Sequence, residues 1–378
     1  GCRWAVLLGF GLTVMMSQLM WLAFSLIRSE ITPVFGATLG SPSDIVLLTA
    51  SQPLVFIFVS IPIGMLADRK GLLRVAGIGS VLLAIFGILR VFVIDDFVLI
   101  FLCQLGLSFG AVMVQNCITY LSVHWFPRRE RTLATGVSTL FMLLGMLIGS
   151  TMSLLLWSVP LYGQPGYTPA LARGNIVSIL TIQSVLVVVF TVLFFLVARD
   201  RPEYPPDIEE RVTKKPSIVP MLKDRNVWII SYGFFAGFAI ILGLTAILET
   251  LLPSLGIPAT TGLGNPVVIV QTLILSFGIV GAVLISGISD KVQRRKPFLV
   301  FAIFVGAIAA LILGISTEVV FSYIFAALLG FSLTSVMPVA LSTLEEFKPV
   351  GPQLSGASAG LAFELGNLGG LLGILILE

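Results

Sequence analysis

Apolar residues run through this chain in eleven long blocks, near residues 4–27, 43–67, 75–94, 97–121, 132–158, 174–198, 227–252, 266–289, 297–315, 319–343 and 353–377. Charged residues, Pro or Gly close each block. About 20 apolar residues in helical form cross the roughly 30 Å hydrocarbon core of a bilayer, whereas a spanning strand needs only about half as many. Helices also satisfy their own backbone hydrogen bonds in lipid. The pattern therefore predicts an all-α polytopic membrane protein.

Composition agrees. Hydrophobic residues make up 57% of the chain and charged residues 11%, with a mean hydropathy of +1.06. Soluble domains carry about 25% charged residues, so this chain lacks the means to cover a water-facing surface. A net charge of +3 gives no reason to expect a nucleic-acid partner. All of the 22 cations except Arg28, Arg90 and Arg173 fall on one side if the loop holding Asp68 is cytoplasmic. Lys and Arg collect on the cytoplasmic side of membrane proteins, so the N-terminus is expected inside a cell membrane. Residues 199–225, with Pro202, Pro205, Pro206 and alternating charges, read as a linker. It separates an N-terminal bundle (1–198) from a C-terminal one (226–378). Cys103 and Cys117 lie on one predicted helix roughly 21 Å apart at 1.5 Å per residue, so no disulfide or metal framework is implied. The first block is a full-length span, not a short signal segment.

The densest motif is Gly64-Met65-Leu66-Ala67-Asp68-Arg69-Lys70-Gly71-Leu72-Leu73-Arg74, between the second and third blocks. It is expected to form a tight turn between two helices, with glycine permitting close approach and Asp68 capping a neighbouring helix or pairing with a cation. A weaker copy, with Ser286 at the first glycine slot, holds Asp290 and Arg294. A third loop, Trp125 to Arg131, carries Glu130 and Arg131. These motifs resemble the Major Facilitator Superfamily, whose loop between helices 2 and 3 reads G-x-x-x-D-R-x-G-x-x-R and whose loop 8–9 repeats it. The resemblance implies two six-helix bundles, so the twelfth helix and both tails are expected to lie beyond residues 1–378. It also implies that Gly64, Asp68, Arg69, Gly71, Arg74, Glu130, Arg131, Asp290 and Arg294 work in gating.

A narrower resemblance is to the feline leukaemia virus subgroup C receptor-related branch, the choline and haem transporters. Its supports are the run from Gln18 to Ile27 with Trp21, Gly87-Ile88-Leu89-Arg90, the linker's Arg201 to Pro206, Ser231-Tyr232-Gly233 and Ser358-Ala359-Gly360-Leu361. The chain departs from the branch at Ala111, where a Gln is expected, and at Ser342, where an acid is expected. The resemblance places Trp21 and Tyr232 in a substrate pocket and puts Asn367 on a family Gln.

Ionisable groups inside a bilayer cost several kcal/mol and mark function by default. Glu364 lies near the middle of the last block, as a cation partner, a proton acceptor or a carboxylate satisfied by a neighbouring helix. Trp21, Tyr232 and Glu364 together are the expected cage for a choline-like cation, since a desolvated cation–π contact is worth up to about 2 kcal/mol. Gln18, Gln115, Asn116 and Asn367 are candidate polar lining, although amides also join membrane helices. Arg90 is expected to pair with Asp95, Asp96 or Glu30, or else to anchor an organic anion. Glu249 reads as a snorkelling, gate or substrate group, and His124 as interfacial.

No phosphate-binding loop, catalytic triad or metal-ligand set appears, and the chain has one His. The expectation is thus a monomeric, non-enzymatic, cofactor-free secondary transporter for a small molecule, with protons as a coupling option. The residues leave open an organic-anion or nutrient carrier, and a non-transporting receptor on the same scaffold.

Overall fold

The computed structural model describes residues 2–200, 217–258 and 264–377; most of the expected linker, and the Glu249 side chain, lie outside it. Fourteen α-helices account for most of the described residues. They are α1 (Cys2–Trp21), α2 (Arg28–Phe35), α3 (Val46–Lys70), α4 (Leu72–Phe92), α5 (Phe97–Gln115), α6 (Cys117–Trp125) and α7 (Arg131–Leu155). There follow α8 (Pro169–Val197), α9 (Val219–Lys223), α10 (Arg225–Ser254), α11 (Pro266–Val292), α12 (Lys296–Ile315), α13 (Val319–Glu346) and α14 (Ser355–Leu377). Among the described residues, ten segments are long and apolar enough to cross a membrane, and α14 is a further helix over the last of the eleven blocks.

Polar caps start several helices where their apolar blocks begin. Asp96 accepts from the N–H groups of Val98 (2.8 Å) and Leu99 (3.1 Å) to start α5. Asn265, followed by Pro266, starts α11 by accepting from Val267 at 3.0 Å; proline suits this position because its missing N–H has no helical partner there. The expected tight turn at residues 64–74 is narrower than the motif. α3 runs unbroken through Lys70, and Gly71 alone makes the turn at φ +86°. Asp200, just past α8, accepts from the N–H of Leu73 at 2.8 Å and caps α4.

Two blocks read as continuous helices are broken. The first helix ends at Trp21 and passes into a short 3-10 turn, Leu22–Phe24. The fourth block divides at Asn116, whose Nδ2 donates to the Ser60 carbonyl of α3 at 2.9 Å.

Helices α1 to α8 pack mainly on one another, as do α10 to α14. The two sets meet through α3 on α14, α7 on α11 and α13, and the short α6 on α13 and α14. Small residues permit these approaches, as is usual for helices in lipid. A Cβ on Gly64 would collide with the Gly356 backbone, and one on Gly136 would reach Ser286 and the Ala282 carbonyl.

Candidate functional site

Between the two sets of helices lies a cavity of about 90 Å³, room for on the order of six to nine water molecules. Its wall from the first set includes Gln18 and Trp21 of α1, Gln52 of α3, Gln115 of α5, and Thr139 to Met146 of α7. The opposite wall includes Phe234 and Phe238 of α10, Met337 of α13, and Phe363 and Asn367 of α14. Trp21 is held in place by its indole N–H, which donates to the Thr49 carbonyl at 2.8 Å. The break at the end of α1 leaves carbonyls that other helices satisfy: Gln104 donates to Trp21 O at 3.1 Å, and Ser153 to Ala23 O at 2.5 Å.

Of the six expected substrate-site residues, Gln18, Trp21, Gln115 and Asn367 meet at this cavity, whereas Tyr232 and Glu364 do not. Tyr232 is 64% exposed and stacks on Phe235 at the outer face of α10. The cavity face of α10 is Gly233, Phe234, Gly237, Phe238, Ile241 and Leu242. Tyr232 lies some 200° around the helix from Phe234 at about 100° per residue. Glu364 follows Gly356 and Gly360 along the face of α14 that packs on α3, and it abuts the Ile61 backbone. Gln52 lines the cavity without having been anticipated.

Arg90 is completely buried and pairs with none of the three expected acids. Its guanidinium donates to Met20 O at 2.9 Å, Gln104 Oε1 at 3.2 Å and Gln183 Oε1 at 3.3 Å, and lies over the Phe24 ring. A cation at a helix C-terminus is favoured by the carbonyl dipoles, and here that terminus is the break in α1. Asp95 instead meets Arg173 in two contacts, which hold its carboxyl below the usual carboxylate range. Asp96 caps α5. Half-buried His124 stacks on Tyr120 at the end of α6.

At the basic end of the bundle the two sets are stapled reciprocally. Asp68, on α3, accepts from the N–H groups of Gly356 (2.7 Å) and Ala357 (2.8 Å) at the start of α14. Asp290, on α11, accepts from the N–H of Leu133 at 2.7 Å in the first turn of α7. Each carboxylate thus satisfies orphan donors and the positive dipole end of a helix from the other set. The first slots of the two motifs match as well: Gly64 meets Gly356, and Ser286 meets Gly136.

Around these staples the ion pairs take in residues outside the expected gating set. The buried Arg295, not Arg294, bonds Asp290 at 2.8 Å and Glu346 at 3.1 Å, while Arg294 is exposed. Glu130 pairs with Arg3 at 2.9 Å, and Arg131 donates to the Phe126 and Val123 carbonyls at the end of α6. Arg69 and Arg74 are exposed. The buried Glu345, which the sequence reading did not single out, accepts from Ser122 at 3.1 Å. Thr119 donates to Ser355 O at 3.0 Å, so α6 touches both α13 and α14.

The model of the Major Facilitator Superfamily matches residues 6–374. The chain belongs to that superfamily. A protein of Archaeoglobus fulgidus described as uncharacterized is 27% identical over 200 residues, 53% of this chain and 87% of its own length. Solute carrier family 49 member 4 homolog of Xenopus tropicalis is 27% identical over 270 residues, 65% of this chain. The match spans 56% of that relative's length. Among solved structures, the superfamily transporter FucP in the outward conformation superposes with a TM-score of 0.69 at 15% identity, over 98% of this chain and 91% of FucP. The family model shows the superfamily and the solved structures share its fold, while the narrower resemblance to the feline leukaemia virus receptor-related branch is not supported by these comparisons.

Proposed function

We propose that this superfamily member is a secondary transporter that moves a small organic solute by alternating access. One observation carries the reading: a solute-sized cavity lies between two helix sets whose packing at the basic end is clasped by a carboxylate from each set. The helical rise puts the cavity roughly 10–24 Å from the Asp68 end, near mid-membrane, where carriers of inverted-repeat design bind their cargo. With the basic end cytoplasmic, the reciprocal staples close the inner side, as befits a chain whose fold matches FucP in its outward conformation. Opening would require α3 to part from α14 and α7 from α11.

The choline-like cation expected from the sequence would meet Trp21, Phe234 and Phe363 with no carboxylate beside them. An organic anion loses the anchor assigned to it, because Arg90 is engaged inside the first helix set. Proton coupling and a monomeric state are kept as part of the proposal.

The test is two-sided access. Val336, on the cavity wall, is replaced by Cys in a background free of other cysteines, and membrane-impermeant maleimide is applied to vesicles of either orientation. Labelling from both sides is expected. Labelling from one side only, under every solute and pH condition tried, would overturn the transporter reading and favour a receptor.

A further inference from the structure

Resting on the transporter reading above, we infer that the solute is uncharged and amphipathic, with a hydroxyl or amide group that meets Gln18 and Gln52 and a flat apolar body that meets the phenylalanines opposite. Among the described residues, none that lines the cavity carries a formal charge. The two ionisable groups that the sequence offered as substrate anchors are committed elsewhere. Glu364 faces the backbone of α3, and Arg90 is clasped by a carbonyl and two amide oxygens. A charge brought into such a site would leave water without a counter-ion or hydrogen-bonded partner of opposite sign, the costliest form of burial.

The two walls differ in kind. Three of the four lining amides, Gln18, Gln52 and Gln115, come from the first helix set, whereas the second contributes Phe234, Phe238 and Phe363 with only Asn367. Gln18 is 1% exposed and Gln52 4% exposed. Each nonetheless has a polar atom without a hydrogen-bond partner, Gln18 Nε2 and Gln52 Oε1. Buried polar groups are nearly always paired, and an unpaired one in a native structure calls for an explanation. A donor from one helix and an acceptor from another suit a group that both accepts and donates, as a hydroxyl or a primary amide does. The lining threonines do not compete for that role: Thr139 donates to the Thr135 carbonyl and Thr334 to the Gly278 carbonyl. Gln115 makes only a 3.5 Å contact with Ser17 and can turn toward a ligand. On the far wall, ring faces and methionines favour stacking against a planar apolar body.

The experiment uses four probes that share one ring and differ in charge: benzyl alcohol, benzylammonium, benzyltrimethylammonium and benzoate. Apparent thermal stability of the purified full-length protein is followed as each is titrated, since a ligand that binds only the folded state raises it by mass action. Benzyl alcohol is expected to give a saturable rise exceeding that of each charged probe. Gln18→Leu and Gln52→Leu should each weaken this response about tenfold, the usual effect of losing one ligand hydrogen bond at a paired site. Ser158→Ala, far from the cavity lining, serves as a folding control and should leave the response unchanged. A larger saturable rise with benzyltrimethylammonium would overturn the uncharged class and restore the cation reading. No response to benzyl alcohol, or one that both Gln variants retain, would overturn it as well. Failure here leaves two-sided labelling at Val336→Cys unaffected, so the solute class and the transporter reading fall separately.

Discussion

On the alternating-access proposal, the staple at Asp68 sets the balance between closed and open basic ends, and Asp68→Asn tests it. The wild-type carboxylate receives two backbone N–H groups, from Gly356 at 2.7 Å and Ala357 at 2.8 Å. Asparagine retains one acceptor but turns an NH₂ toward a donor, which leaves an N–H unpaired and removes the charge from the end of α14. A hydrogen bond to a charged group is worth about 1.5–3 kcal/mol, and the helix-end charge about 0.3–2 kcal/mol. Water hydrates both partners once α3 and α14 separate, so only part of that sum distinguishes the two states. A net shift of about 1.5–3 kcal/mol toward the open state is expected, or roughly 10- to 150-fold in the population ratio at 1.4 kcal/mol per tenfold. Spin labels at Arg128→Cys and Lys348→Cys, exposed positions on opposite helix sets, report the separation by pulsed electron resonance. The substitution should add or enlarge a long-distance population. Identical distance distributions in the two proteins would refute the idea that this carboxylate closes the basic end.

Three further outcomes follow from other contacts. Gly64→Ala should open the same end by a steric route, because its methyl meets the Gly356 backbone rather than a movable side chain, and the same spin-label pair would reveal it. Arg90→Met should lower thermal stability by about 2–4 kcal/mol, since it strands the Met20 carbonyl and the Gln104 and Gln183 amides; Arg90→Lys should recover only part, lacking the planar fork, and a Met variant as stable as wild type would sink this account. Asp95, held below its ordinary range by Arg173, stabilises the fold above the unfolded value of about 3.9, and this contribution disappears as pH falls through the lower folded value. Arg173→Ala should therefore change the melting temperature little at neutral pH, an exposed pair being weak, and should flatten the acid limb of the stability–pH curve only below about pH 4.

Span number, family and the staples were legible because long apolar blocks and the Asp68 motif carry strong local signals. Asp290 was also legible, although its copy of the motif is degraded; Ser286 replaces the first glycine there, and Gly136 on α7 supplies the small residue that the contact needs. What failed was the angle around each helix. Tyr232 and Glu364 sit at suitable depth but on the wrong faces, because a span that is apolar all round has no polar side to show which way it turns. A glycine stripe did offer a signal for α14: Gly356 and Gly360 mark the face that approaches another helix, and Glu364 continues it. Gln52 was equally visible as an amide within an apolar block, yet no motif distinguished it from structural amides. Arg90 was unreadable because its acceptors are the Met20 carbonyl at the end of α1, where the sequence announces no break, and the side-chain amides of Gln104 and Gln183 on two other helices. Arg295 was missed by one position, since the αL conformation of Gln293 (φ +56°) ends α11 and re-aims the arginines that follow.

The staples and the cavity share helices, and on the transporter proposal that gives a solute a means of acting on the staples. Helix α14 belongs to the second set, is held at its N-terminus by Asp68 of the first, and carries Phe363 and Asn367 on the cavity wall. Helix α7 is its mirror: it belongs to the first set, is held by Asp290 of the second, and carries Thr139 and Met142. The distance from staple to cavity along either helix is roughly 10–20 Å at 1.5 Å per residue, within one rigid element. A solute that bridges the amide wall and the aromatic wall therefore favours one relative placement of α7 and α14, the same variable that the two carboxylates fix. By linkage, any placement the solute prefers must alter staple occupancy by an equal free energy. A solute indifferent to that placement would bind without biasing the gate. Asp68→Asn should on this reasoning change probe affinity at the cavity, although Asp68 is not among the residues that line it, and the direction of the change would identify which state holds the solute more tightly.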